Sequence, residues 1–190
     1  MRIRGRFRPL VLVASLAGMA VLTAANWYVD QSSVLPPDGS ASNPYVHIMD
    51  ALNAPGFTNG DTVFVAPGVY NEDVIIDGIE VNLIGTQGAA VTVIQGTGTT
   101  SAVTMYNAGH STLSRFTVTG GVACCGGGVE IIGDSPAITR SIITGNAAVA
   151  MPGYAGVGGG IDVYDATNVI LRDNLVVDNQ IGRASCRERV

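Results

Sequence analysis

Two acidic residues hold matching places in the second half of this chain. Glu130 lies in Val129-Glu130-Ile131-Ile132 and Asp162 in Ile161-Asp162-Val163-Tyr164. Each sits between apolar neighbours in a short alternating run, the pattern of a strand whose apolar residues point inward and whose acid points out. If the two runs stack, the carboxylates stand about 4.8 Å apart. That spacing could raise one pKa, hold a cation, or serve as an acid and nucleophile pair. The alternative is a solvated polar face. The matching position in the preceding run, Val103-Thr104-Met105-Tyr106, is Thr104.

Three arginines form a second candidate set. Arg115 and Arg140 align at an offset of 25, and Arg140 and Arg172 at an offset of 32. As a column they would make a cationic stripe for a carboxylated or sulfated glycan, with acids such as Asp173 interleaved to relieve like-charge repulsion. Otherwise they are surface residues lying along the stack on their aliphatic stems. Cys124-Cys125 is an adjacent pair, either a vicinal disulfide or two thiols. Tyr154, in the insertion Ala147 to Val157, could stack on a sugar ring. His47 reads as a solvated or capping residue and His110 as an exposed corner. No metal-ligating set is visible in the spacing, and no cofactor is implied. Lyase chemistry would need an arginine or lysine base beside bound calcium. The chain has no lysine and no dense aspartate cluster, so calcium is unsupported.

The elements that must position these residues form a repeat. Each copy opens with one of the three alternating runs and continues through an arginine flanked by apolar residues. The copies close on Gly121, Asn146 and Asn179, residue types that enter the left-handed backbone region cheaply and so predict one recurring corner. A period of about 25 residues with short strands and Gly or Asn corners predicts a solenoid of parallel strands. The fold expected is all-β, a right-handed parallel β-helix with a short N-terminal capping helix. Further strands are expected at Trp27–Val29, Asp61–Val65, Val74–Ile76, Val81–Gly85 and Val91–Ile94. The capping helix is expected to start at Asn43-Pro44, with Ile48, Ala51 and Leu52 on its inner face.

Composition agrees with an all-β protein: 190 residues, 25 glycines and 13 % charged residues. The N-terminus reads as an export signal over residues 1–25. Arg2, Arg4, Arg6 and Arg8 are followed by an apolar core from Pro9 to Leu22 and by Thr23-Ala24-Ala25 as the cleavage site, so a mature chain is expected to begin at Asn26. The apolar core falls short of the roughly 20 residues that span a bilayer, so no membrane span is expected after cleavage. Residues 26–180 read as the N-terminal part of the β-helix domain. They hold three arginines against fourteen acids, a net charge of −11, which disfavours nucleic acid as a partner. Residues 181–190 abandon the repeat and resemble the translation of a common sequencing adapter; the natural chain is expected to diverge there, with further sequence beyond Gln180.

Several segments together carry a family resemblance. They are Trp27-Tyr28-Val29-Asp30, Asp38-Gly39-Ser40, Asn43-Pro44-Tyr45, the run Gly60-Asp61-Thr62-Val63-Phe64-Val65-Ala66-Pro67-Gly68-Val69-Tyr70, and Val81-Asn82-Leu83-Ile84-Gly85. With Gly126-Gly127-Gly128-Val129 and Gly158-Gly159-Gly160-Ile161, they resemble secreted bacterial right-handed parallel β-helix proteins of the pectin-lyase-like fold, over residues 27 to 180. The resemblance implies a secreted or cell-surface location and binding or processing of a polysaccharide across an outward sheet, with the Glu130/Asp162 face as the site. The activities it implies are polysaccharide lyase, glycoside hydrolase or pectin esterase. It also admits a non-catalytic structural or adhesin module, because this fold hosts many functions. Whether the chain is an enzyme is left open: it shows no glutamine-aspartate-threonine-leucine segment and no paired catalytic aspartates of the esterases.

Overall fold

The computed structural model describes residues 24–34, 36–151 and 155–181. Strand β1 (Asn26–Val29) and helix α1 (Ile48–Leu52) come first. The chain then repeats one circuit. The first turn holds β2 (Asp61–Val65), β3 (Gly68–Asn71) and β4 (Val74–Asp77), and the second β5 (Val81–Gly85), β6 (Thr92–Gln95) and β7 (Val103–Tyr106). The third holds β8 (Thr112–Ser114), β9 (Thr117–Thr119), β10 (Val122–Ala123) and β11 (Val129–Ile132). The fourth holds β12 (Ala137–Thr139), β13 (Ile142–Thr144), β14 (Ala147–Ala148) and β15 (Ile161–Tyr164), and the last β16 (Ile170–Arg172), β17 (Leu175–Val177) and β18 (Gln180–Ile181).

Among the described residues every strand pairing is parallel and joins one turn to the next. Four sheets result, in the orders β1-β2-β5-β8-β12-β16, β3-β6-β9-β13-β17, β10-β14-β18 and β4-β7-β11-β15. The chain visits these sheets in the same succession on each turn, an all-β arrangement that fits a β-helix. Registers place like residues over like. Val63, Leu83, Leu113 and Ile138 are successive partners in the first sheet, and Tyr70, Ile94, Val118 and Ile143 in the second. All are buried. Burial alternates along β2, β4, β5 and β11, so one face of each strand feeds a common core and the other faces outward. β2, β5, β7, β11 and β15 have the bounds that the alternation predicts.

The corners depart from expectation by one residue. The left-handed positions are Gly120, Gly145 and Asp178, each one place before Gly121, Asn146 and Asn179. The two asparagines do a different job. Asn146 accepts from the Gly121 N–H at 3.0 Å, and its Nδ2 donates to the Val118 carbonyl at 3.0 Å and to Asn179 Oδ1 at 2.9 Å. Asn179 Oδ1 accepts in turn from the Asn146 N–H at 3.1 Å. A second ladder runs beside it: the Phe116 N–H donates to Ser141 Oγ at 3.2 Å, and the Ser141 N–H to Asn174 Oδ1 at 2.9 Å. These side chains satisfy turn N–H groups that no strand partner reaches.

The helix also differs. α1 starts at Ile48, not at Asn43-Pro44, and His47 is the residue at its N-cap. The Asn43 carbonyl instead accepts from the Asp38 and Gly39 N–H groups in a turn. The helix end is held from outside: Glu72 Oε1 and Oε2 each accept at 2.9 Å, from Ile48 N–H and Met49 N–H. A carboxylate there satisfies orphan donors and favours the positive helix end. Ile48, Ala51 and Leu52 are buried as expected, against β1, β2 and β4. The expected N-terminal strand is present as β1; its Trp27 packs on Tyr45 and Phe57, and Tyr28 stacks on Phe64.

The export core, Tyr154 and residues 182–190 lie outside the described residues. Ile181, assigned from sequence to the foreign tail, pairs with Ala148 as the last residue of β18. Among the described residues no helix is long and apolar enough to cross a membrane.

Candidate functional site

Glu130 is carried by β11, which lies between β7 and β15. Val129 and Ile131 turn into the core, which forces Glu130 outward. Its register partners are Asp162 on one side and Thr104 on the other, so the two acids do stack as their spacing predicts. The glycine runs before each acid make this possible. Gly126 and Gly158 have φ of +58° and +60°, and a Cβ on either would come within 3 Å of the Glu130 or Asp162 Cβ. The two runs hydrogen-bond to each other along their backbones, Gly127 N–H to the Gly158 carbonyl and Gly128 N–H to the Gly159 carbonyl, each at 3.1 Å.

Glu130 lines a groove of about 250 Å³ with Ile75, Thr100, Thr104, Cys124 and Met151. Burial, and then the Asp162 charge, push its carboxyl above the usual glutamate range. A carboxyl shifted in this direction is the kind from which general acids are drawn. The hydroxyl residues Thr99, Thr100, Ser101 and Thr104 also line the groove.

The cysteines flank the same groove. Their sulfurs stand 3.1 Å apart as hydrogen-bonded thiols, beyond the roughly 2.05 Å of a disulfide bond. The pair is pinned on both sides: the Val157 N–H donates to the Cys124 carbonyl at 3.0 Å, and Ser101 Oγ donates to the Cys125 carbonyl at 3.2 Å. The hydrogen bond to Cys124, then burial, then the charges of Cys124, Asp162 and Glu130 push the Cys125 thiol up to about 12. At neutral pH Cys125 is a thiol, not a nucleophilic thiolate.

The arginines do not join this site, and they do not form the three-membered column expected. Arg115 and Arg140 occupy equivalent left-handed corners, with φ of 68° and 52°, but the third residue in that place is Asp173, with φ of 57°. Arg172 lies one residue earlier, in β16, paired with Thr139. The offset between these turns is therefore 33, not 32, and the stripe ends in an acid. These corners join the first sheet to the second, whereas Glu130 and Asp162 sit on the fourth. The insertion near Tyr154 is also shorter than expected, since Ala147 and Ala148 form β14. His47 Nδ1 stands 3.7 Å from Glu72, and His110 is exposed, 3.9 Å from Glu80.

Two features escaped the sequence reading. Tyr28 and Phe64 stack outward with ring centroids 5.6 Å apart, beside a smaller groove that Asp30 and Thr86 also line. Only the period-2 outward positions of neighbouring strands could have signalled them. Asp61 is the other: a fully buried carboxylate that accepts four hydrogen bonds. Among the described residues no group of three or more His, Cys, Asp or Glu side chains is placed to hold a metal ion. No protein-family model, curated protein or solved structure matches this chain.

Proposed function

We propose that the chain is an exported or cell-surface right-handed β-helix of the pectin-lyase-like kind, with α1 as its N-terminal cap, and that it binds or processes a polysaccharide. The sheet of β4, β7, β11 and β15 is the binding face. One observation carries this reading: Glu130 and Asp162 stack in register on an outward sheet, and Glu130 lines a groove that raises its pKa. An extended sugar chain fits a face whose polar groups repeat along the stack, and a carboxyl of raised pKa beside a second acid is the arrangement used in glycoside cleavage. The right-handed sense follows from the strong preference of parallel crossovers for that hand. The exported location draws on the arginine-led apolar N-terminus.

The test is binding of the folded, full chain to a panel of neutral, carboxylated and sulfated glycans, repeated with Glu130→Gln and Asp162→Asn. At least one glycan should bind, with a loss of about tenfold in Glu130→Gln, the order of a lost charge-assisted hydrogen bond. Absence of binding across the panel would remove the polysaccharide reading. A non-catalytic display module is the second reading, and it has its own observation. Ala147 to Gln180 spans 33 residues against 25 for Val122 to Ala147, and all but one of the additional residues fall in the loop between β14 and β15. Adhesion lost on shortening that loop, with Glu130→Gln unaffected, would favour it.

A further inference from the structure

Asp61 opens β2 and is fully buried, and its four hydrogen-bond donors are all neutral. Trp27 Nε1 donates at 2.8 Å, the Thr58 N–H at 2.9 Å, Thr58 Oγ1 at 3.1 Å, and the Ala25 N–H at 2.6 Å. Among the described residues no cation pairs with it. A buried carboxylate is costly without an opposite charge, and hydrogen bonds offset that cost only in part. The shortest of its contacts is to the backbone nitrogen of a residue in the expected cleavage segment.

Ala25 is built into the fold through both of its backbone groups. Besides the contact to Asp61, its carbonyl accepts from the Thr62 N–H at 2.9 Å. Ala24, one residue earlier, is exposed. Removal of a leader after Ala25 would take away both contacts and leave the Thr62 N–H without its acceptor. Removal after Ala24 keeps both. A cut after Ala25 puts Thr23 and Ala25 at the two small positions of an A-x-A-like site, whereas a cut after Ala24 puts Leu22 at the first of them, so the local pattern favours the later cut and the packing of Ala25 the earlier one.

We infer that the leader is cut between Ala24 and Ala25, not after Ala25, and that the new α-ammonium of Ala25 pairs with the buried carboxylate of Asp61. Water adds to the Ala24 carbonyl, the carbon–nitrogen bond breaks, Ala24 leaves as a carboxylate and the Ala25 nitrogen is protonated. The ammonium then donates along the 2.6 Å direction that the amide already occupies. Asp61 gains the one charge its surroundings lack, and maturation itself locks β1 onto β2. The inference rests on the proposal that the N-terminus is an export leader.

The experiment is export of the full chain from a bacterial secretion host, with the N-terminus of the released protein read by intact mass and terminal sequencing. A chain starting at Ala25 is the expected result. A start at Asn26 or elsewhere downstream overturns the inference but leaves the export proposal standing, and an unprocessed chain starting at Met1 overturns both. The charge pair has a separate readout, because the chain contains no lysine and its α-amine is the only amine an acylating reagent can find. Pairing should slow acylation of that amine in the native protein by about tenfold or more relative to the denatured protein, equivalent to a rise of one pKa unit. Asp61→Asn, if it folds, should restore the fast rate. Equal rates in the native and denatured wild-type chain would overturn the pairing.

Discussion

The turn from Val129 to Ala148 and the turn from Ile161 to Ile181 follow one alternating pattern, yet among the described residues only the first is covered by a turn on each side. Ile131 pairs with Val163, Ile138 with Leu171, Ile143 with Val176 and Ala148 with Ile181. The first member of each pair is fully buried, while Leu171 and Val176 are each 51 % exposed and Ile181 61 %. The polar ladder shows the same contrast. Asn146 is buried and bonded to the turns on both sides, whereas among the described residues Asn179 bonds to its own turn and the preceding one. In this architecture a residue's energetic weight is set by whether a neighbouring turn covers it, more than by its own type.

That contrast can be broken first in the apolar columns. Ile138→Ala should cost about 3 kcal/mol, as buried large-to-small changes do, while Leu171→Ala should cost less than about 1 kcal/mol, read by urea denaturation of both variants. Equal costs would show that Leu171 is covered in solution. The ladder comes next. Asn146→Ala strands the Gly121 N–H and the Val118 carbonyl and should cost about 2–3 kcal/mol, against about 1 kcal/mol for Asn179→Ala. Among the described residues the edges of β15, β16, β17 and β18 have no partner on their outer side, and edges of this kind beside apolar residues are prone to association. Val176→Lys should lower concentration-dependent association in sedimentation experiments while shifting stability by no more than about 0.5 kcal/mol.

The smallest effect concerns the acid that the inner turn carries. Glu130 has a pKa raised above 4.5 by burial and then by Asp162. Its folded form therefore holds a proton more tightly than its unfolded form, so its contribution to stability is full below the unfolded pKa and is lost as pH rises through the folded one. Glu130→Gln should give a small rise in Tm at pH 7 that shrinks towards pH 4. A Tm difference independent of pH would mean that burial does not perturb this carboxyl.

Much of the stack was legible in the residues, and the misses share a cause. Period-2 alternation located β2, β5, β7, β11 and β15, and the shared position of Glu130 and Asp162 was visible for the same reason. The Arg172 misalignment arose because the loop between β15 and β16 holds five residues where the one between β11 and β12 holds four, and loop length leaves no mark on strand pattern. Asn146 and Asn179 were read as left-handed corner residues, but asparagine also bonds through its amide, and only the packed turn selects that role. The helix start was misplaced because its carboxylate cap, Glu72, comes from 24 residues away.

The amino-acid order by itself determined the strands, the inward and outward faces, the acidic character and the stacking of Glu130 on Asp162, because these depend on local periodicity and on the repeat of one short pattern. Tertiary structure alone decided the asparagine ladder, the displacement of Arg172, the thiol pair beside the acid groove and the burial of Asp61 beneath Ala25. Each of these depends on which residue of one turn lies over which residue of the next, and that register is set by packing and loop length across 20 to 36 positions of chain.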